Sequence, residues 1–204
     1  MFSKHKYFIL ALFFKLLFGS QVIAQVIEEE TLIQYYEGFP FQEGIYTSFN
    51  DFVNNEPRIT STFEKRGSQL YLYNDSLKDF EKVNPERVWG YSQAGNVYIS
   101  QEGAYWRIIN MGALAQFSAI VITTVQSVDN FGFPITQRSK SMQQLFLDFK
   151  SGEIYELSAK NLKPYFEKDP ILKERFSKLK KREKDLILAL KAYNELYPIY
   201  LPLP

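Results

Sequence analysis

The chain has 204 residues, with 24 Lys and Arg against 23 Asp and Glu, one His and no Cys. The absence of Cys excludes disulfides and thiol redox centres, so stability must come from a hydrophobic core. That core is expected to be aromatic, because the chain carries 18 Phe, 14 Tyr and 2 Trp and each ring can bury roughly 150–250 Å².

The first 24 residues have the pattern of a cleavable signal peptide. Two lysines precede an apolar stretch from Tyr7 to Phe18, and residues 22–24 (Val-Ile-Ala) suit signal peptidase. The longest unbroken apolar run, Tyr7–Phe14, is far shorter than the roughly 20 residues of a membrane span. No Cys follows, which excludes a lipid anchor at a new N-terminal Cys. We therefore predict an exported protein, periplasmic or secreted and not a lipoprotein, with one mature domain over residues 25–204.

Removal of this leader also removes His5, the only histidine of the chain. A mature domain without His or Cys cannot form a Ser-His-Asp or Cys-His catalytic site, a Cys/His zinc site or a His-ligated haem site. No segment matches the phosphate-binding P-loop or the dinucleotide fingerprint. The sequence therefore predicts no cofactor, no metal site and no assigned catalytic residue, and an enzyme is the less favoured interpretation.

Carboxylates are the remaining catalytic groups, since glycan cleavage needs two of them roughly 5–9.5 Å apart. No spacing singles out a pair among the acids near predicted strands and turns: Asp75, Asp79, Glu81, Glu102, Asp129, Asp148 and Glu153.

The elements begin with residues 25–42, which favour a short helix or a loose arm. A short strand then ends near Thr47, and Ser48 with Asp51 forms a capping box for a short helix that stops before Pro57.

Residues 44–157 are predicted to be rich in β-strand. Apolar and polar residues alternate with a period of two, and turn formers separate the strands. The predicted pairs are 88–92 with 96–100, 105–109 with 116–125, and 145–149 with 153–157. Strands joined by turns rather than helices indicate an antiparallel sheet.

The uncharged stretch from Ile108 to Val128 is long enough to cross a membrane. Its polar residues make a spanning helix costly, and the β-branched cluster 120–125 favours a strand. We expect a central strand buried on both faces, and no transmembrane segment in the mature chain.

From residue 158 to 197 the period becomes helical. Ser158 can cap a short helix, and Asp169-Pro170 starts another. The apolar spacing after Pro170 fits one long helix or two joined near residues 181–184. The predicted fold class is α+β: a predominantly antiparallel β-sheet followed by C-terminal helices packed on one face, all in a single domain.

A group of aromatic residues offers a possible binding platform. Alternation should place Trp89 and Tyr91 on one face, where exposure would allow sugars or partner side chains to stack. The alternative, which we favour, is a buried face beneath the C-terminal helices. The five platform residues are Trp89, Tyr91, Tyr98, Tyr105 and Trp106.

Residues 173–185 hold seven basic and three acidic side chains. They could form a basic ridge for an anionic membrane surface or polymer, but a solvated helix face is the favoured interpretation. Export makes nucleic acid an improbable partner.

Three segments carry a family resemblance: residues 44–57 (GIYTSFNDFVNNEP), 88–100 (VWGYSQAGNVYIS) and 193–200 (YNELYPIY). Together they resemble a domain-of-unknown-function family of exported bacterial proteins. The resemblance implies no activity, cofactor or site residue. We expect the shared blocks to mark packing, with Trp89 in the core and Tyr193 and Tyr197 packed onto the sheet.

The combined prediction is an exported, non-enzymatic binding or structural module of the cell envelope or exterior. Its partner would be an envelope protein or a glycan. The alternative is a carboxylate-based enzyme acting on glycans.

Overall fold

The computed structural model describes residues 31–129, 131–178 and 182–204, so the predicted signal peptide lies outside the described residues. The elements follow in chain order: β1 (Leu32–Gln34), β2 (Gly44–Tyr46), α1 (Phe49–Val53), β3 (Phe63–Arg66), β4 (Gln69–Asn74), β5 (Asp79–Lys82), a 3₁₀ turn (Pro85–Arg87), β6 (Gly90–Gln93), β7 (Asn96–Gln101), β8 (Ala104–Asn110), β9 (Leu114–Val128), β10 (Pro134–Asp148), β11 (Ile154–Glu156), α2 (Ala159–Phe166), α3 (Pro170–Ser177), α4 (Glu183–Leu196) and β12 (Tyr200–Pro202).

The strands of the described chain form three antiparallel sheets. The largest has seven strands in the order β11-β10-β9-β8-β7-β6-β2, so β6 to β10 each pair with the next strand along the chain. Strands β3, β4 and β5 form a second sheet, and β1 pairs with β12. Antiparallel strands need only short turns between them. The architecture confirms the predicted α+β class.

The pairing of β1 with β12 differs from the short helix or loose arm predicted for residues 25–42. Leu32 lies opposite Pro202, and Gln34 lies opposite Tyr200. Strands of three residues are too short to show a period, and these two lie at opposite ends of the described chain. Their pairing places the buried Leu201 in the core.

Side chains on the two faces of the large sheet enter different clusters. On one face, which we call the main cluster, the sheet packs against α1 and the β1-β12 pair, through Phe39, Phe52, Ile99, Phe117, Leu147 and Leu201 among others. The other face packs against the C-terminal helices in the helix cluster, through Leu114, Phe146, Leu162, Phe166 and Leu190 among others. The helices therefore cover one face of the sheet, as predicted.

A third cluster, the small-sheet cluster, holds β3-β4-β5 against the β2-β6 end of the large sheet. Leu70 of β4 and Ile45 of β2 are both fully buried there, beside Tyr91 of β6.

The helix starts follow the local signals of the sequence. Ser48 accepts a hydrogen bond from the Asp51 N–H and completes the predicted capping box of α1. The Asp169 carboxylate accepts from the first N–H groups of α3, which begins at Pro170. The C-terminal segment forms two helices, α3 and α4, rather than one. No helix in the described ranges combines the length and apolar character of a membrane span.

Candidate binding surfaces

The five aromatic residues predicted as a platform do not share one face. Tyr91 and Tyr105 are buried in the small-sheet cluster with Tyr98 packed beside them, whereas Trp89 and Trp106 pack against the main cluster. The expectation that Trp89 and Tyr91 point the same way is wrong. Trp89 precedes β6, which begins at Gly90, and regular alternation does not extend to it.

Trp89 is half-buried in an aromatic stack that packs against the main cluster. Its ring is stacked on Phe52 at 4.3 Å between centroids, and it meets Tyr46 edge-on at 6.4 Å. Phe49 packs at its side at 5.9 Å. Since Phe52 occupies one face of the indole, a ligand has no access to that face.

The three tyrosines form their own stack on the opposite side. Tyr91 lies parallel to Tyr98 with centroids 4.6 Å apart and meets Tyr105 edge-on at 5.4 Å. Burial raises the pKa of Tyr105 to about 12. Burial also raises the pKa of Tyr91 above its ordinary value, with a further contribution from Tyr98 and Tyr105. These rings are parts of the core rather than an exposed stacking surface.

The first family segment is organised by Asp51. Its carboxylate accepts hydrogen bonds from Thr47 Oγ1 at 2.7 Å and from Arg58 Nε at 3.0 Å, and from the Ser48 N–H at 3.0 Å. Burial acts to raise the pKa of Asp51, but these hydrogen bonds outweigh it and hold the pKa below its usual range. The carboxylate therefore has a structural role, because it links Thr47 and Ser48 at the start of α1 to Arg58 in the segment after the helix.

Asn55 links the first family segment to residues near both ends of the described chain, Gln42 and Pro202. Its Oδ1 accepts from the Gln42 N–H at 2.8 Å, and its Nδ2 donates to the Pro202 carbonyl at 3.2 Å. The residue is buried and adopts a left-handed φ of 53°, which Asn tolerates better than most residues. These contacts identify Asn55 as a packing residue.

Asn194, in the last family segment, fastens α4 to the sheet. Its side chain accepts from the Leu114 N–H at 2.8 Å and donates to the Leu114 carbonyl at 2.9 Å. The amide lies so close to Gly112 that a Cβ there would approach Asn194 Cγ within 2.4 Å. Gly112 and Asn194 therefore form a matched pair, which no local pattern in the sequence indicates.

The two tyrosines of that segment differ in their surroundings. Tyr193 packs in the helix cluster, as expected. Tyr197 is 39% exposed and donates a hydrogen bond to Asp169 at 3.2 Å, so it packs on Tyr193 rather than on the sheet. It lies just past the end of α4, where the helix no longer presents side chains to the sheet.

A long hairpin projects beyond the clusters. We call residues 120–128 of β9 and 134–142 of β10 the arm; they pair in register from Ile120 with Met142 to Val128 with Pro134. From Ile122 to Val128, and from Pro134 to Met142, every residue is exposed. The prediction of a strand buried on both faces is therefore correct only for the first part of β9 and wrong for the arm.

The tip of the arm presents two phenylalanines that are both hydrogen-bonded to Asp129. The Asp129 carboxylate accepts from the N–H groups of Phe131 and Phe133, both at 2.8 Å. The Asp129 N–H donates to the Phe133 carbonyl at 2.9 Å. Phe131 is 85% and Phe133 67% exposed. This exposed tip was not among the predicted sites. An Asp, a Gly and a Pro between two stretches with a strand pattern do predict a turn here.

A cleft of about 630 Å³ lies at the base of the arm, lined by Trp89, Ile122, Glu86 and Glu102 among others. Glu37 and Glu195 line another cleft with Tyr35, and here Glu86 and Glu102 share a cleft with the aromatic wall of Trp89. Both carboxylates are exposed, whereas a general acid is normally held in a desolvated site.

The other candidate carboxylates serve turns. Asp148 accepts from the Lys150 N–H at 2.9 Å and from the Tyr165 hydroxyl at 3.0 Å. Asp75 lies 3.9 Å from Lys78 in an exposed ion pair. Among the described residues, no group of three or more acidic, His or Cys side chains is placed to hold a metal ion.

Fold and contacts together define an α+β protein in which residues of the shared sequence blocks pack in the core, and the arm exposes apolar side chains such as Phe131 and Phe133. The chain belongs to a family of unknown function, DUF6563, whose model matches residues 44–196. The match starts at the first residue of the GIY block and ends just after the YNE block. No curated protein matches the chain, and no solved structure matches it.

Proposed function

We propose that the protein is an exported, non-enzymatic binding module of the cell envelope or exterior, and that the tip of the arm contacts its partner. Export is supported by the leader pattern of residues 1–24. The observation that carries the binding role is the exposure of Phe131 and Phe133, whose N–H groups both donate to the Asp129 carboxylate. Exposed apolar groups that the fold holds in place are typical of interaction sites.

The partner that best fits this tip is a protein with an apolar recess. The Asp129 carboxylate lies beside the two phenylalanines, since it accepts from both of their N–H groups, and its insertion into lipid hydrocarbon would carry a large desolvation penalty. A protein partner can enclose the two rings and still leave polar groups to meet the turn. Aromatic anchors of this kind commonly dominate binding energy.

The test is photo-crosslinking in the producing cell. A photoreactive phenylalanine analogue replaces Phe131, and a second variant carries it at Leu77, which is 62% exposed on the body of the protein. We expect a discrete adduct with an envelope protein from position 131 and none from position 77. Equal labelling at both positions would count against the arm as the binding element.

Mass spectrometry of the recovered protein should also show Gln25 as its first residue.

The second candidate is a carboxylate-based enzyme acting on glycans, favoured by the cleft that holds Glu86, Glu102 and Trp89. In that case cell-wall glycan fragments would be shortened by the purified protein. Glu86→Gln and Glu102→Gln would each abolish the cleavage, and Glu81→Gln, outside the cleft, would leave it unchanged. No release of fragments by the wild-type protein would remove this candidate.

A further inference from the structure

The arm has two free edges. β8 pairs with β9 only at Phe117 and Gln116, and β11 pairs with β10 only from Leu145 to Leu147. Within the described residues, the outer strands of the arm therefore pair only with each other. Their remaining N–H and C=O groups face outward, where they can form a ladder with another strand.

The two edges differ in the residues that discourage such pairing. The β10 edge carries Pro134, Arg138 and Lys140, whereas the β9 segment from Ser118 to Val128 has no charged residue, no Pro and no Gly. Charged side chains and proline are the usual means by which proteins protect a free edge. The β9 edge lacks that protection and is rich in β-branched residues, which favour strand pairing.

We propose that the β9 edge pairs with the β9 edge of a second copy of this chain, antiparallel and centred on Val125. Ile122–Val128 is the part of β9 that is exposed throughout, and Val125 is its midpoint. Pairing about this residue makes a four-stranded sheet, β10-β9-β9-β10. Val125 then lies opposite its own copy, and Ile122 of one chain lies opposite Val128 of the other.

A second copy fits this edge because the pairing brings no like charges together. The segment is uncharged, so its antiparallel self-pairing is neutral at every position. Arg138 and Lys140 lie on β10, and three strand spacings of about 4.8 Å separate the two β10 strands. Closed two-fold pairing also uses the same surface on both chains, and the edges that stay open are the β10 edges, which carry Pro134, Arg138 and Lys140. The contact uses the side of the arm, so it stands independently of the partner proposed for the tip.

The first test compares Val125→Lys with Gln137→Lys by sedimentation velocity over a range of protein concentrations. These residues lie opposite each other in the β9–β10 ladder, so both variants add one positive charge at the same distance from the tip. Val125→Lys places two lysines face to face across the dimer and should weaken association at least about tenfold. Gln137→Lys should associate like the wild type. A wild-type protein that stays monomeric at every concentration would overturn the proposal.

The second test uses the absence of cysteine in the chain. Val125→Cys should form a disulfide-linked dimer under mild oxidation, because directly opposite Cβ atoms are within about 4.5–5.5 Å. Gln137→Cys should form it far more slowly. Thermal melting of each variant shows that the fold is retained. Equal cross-linking at the two positions, or cross-linking of Val125→Cys to a different protein in the producing cell, would also overturn self-pairing.

Discussion

The arm and the rest of the protein, which we call the body, are both built from β-strands. Trp89 in the body is packed against other rings, whereas Phe131 at the tip of the arm is exposed. In the body, Trp89 lies stacked on Phe52. At the tip of the arm, Phe131 is 85% exposed. Strand-forming residues are common in both regions, so β-propensity does not decide burial. What decides it is whether a second layer, such as a helix or another sheet, lies across the strand.

The largest effect should come from the matched substitutions Trp89→Ala and Phe131→Ala. Emptying a large aromatic site in a core costs about 3–5 kcal/mol, so Trp89→Ala should melt far below the wild type. Phe131 is largely exposed, so Phe131→Ala leaves no cavity in the core. The free energy of unfolding of this variant should stay within about 0.5 kcal/mol of the wild type. Chemical denaturation of both variants measures the difference. Similar losses in both would mean that the tip packs against the body.

A smaller effect is expected at the junction of α4 and the sheet. Asn194→Ala leaves the N–H and carbonyl of Leu114 without their partner, which should cost about 1–3 kcal/mol. Gly112→Ala should destabilise as well, because the new Cβ would collide with the Asn194 side chain.

The double variant separates this contact from general damage. When Asn194→Ala has removed the amide group, the Cβ added by Gly112→Ala collides with fewer atoms. The double variant should therefore lose less stability than the sum of the losses in the two single variants. Additive losses would show that the two residues act independently.

The acid dependence of stability should depend on Asp51. Its pKa is lower in the folded protein than the ordinary value near 3.9, so the folded state binds fewer protons than the unfolded state in acid. The stability that Asp51 contributes is therefore present above about pH 4 and is lost as the pH falls through its folded pKa. Asp51→Asn should lose about 1 kcal/mol at pH 7, and its gap to the wild type should close in acid. A gap that stays constant from pH 7 to pH 3 would contradict this assignment.

The sequence predicted those parts of the fold that depend on neighbouring residues. The capping box of Ser48 and Asp51 and the Asp169-Pro170 helix start are local hydrogen-bonding patterns, and both are present. Membership of a family of unknown function was likewise confirmed, and its blocks could be recognised because each is a continuous segment of the sequence.

The burial of the arm was predicted incorrectly because the sequence of a strand does not show which elements pack against it. From Thr123 to Val128 polar residues fall on both faces of β9, as in Thr123 and Thr124. That pattern argues against burial as strongly as against a membrane span. The pairing of Asn194 with Leu114 joins positions 80 residues apart, and only a three-dimensional fold can reveal such a contact.

The smallest effect on stability is expected from removing the arm altogether. Val121 and Ser141 lie opposite each other in the ladder, so an Asn-Gly turn can join them and replace residues 122–140. Because the described residues in this range are exposed, apart from the half-buried Asp129, the free energy of unfolding of the shortened protein should stay within about 1 kcal/mol of the wild type. It should lose both the tip adduct and the dimer. A shortened protein that unfolds easily would show that the arm supports the core, and binding losses could then not be assigned to the arm.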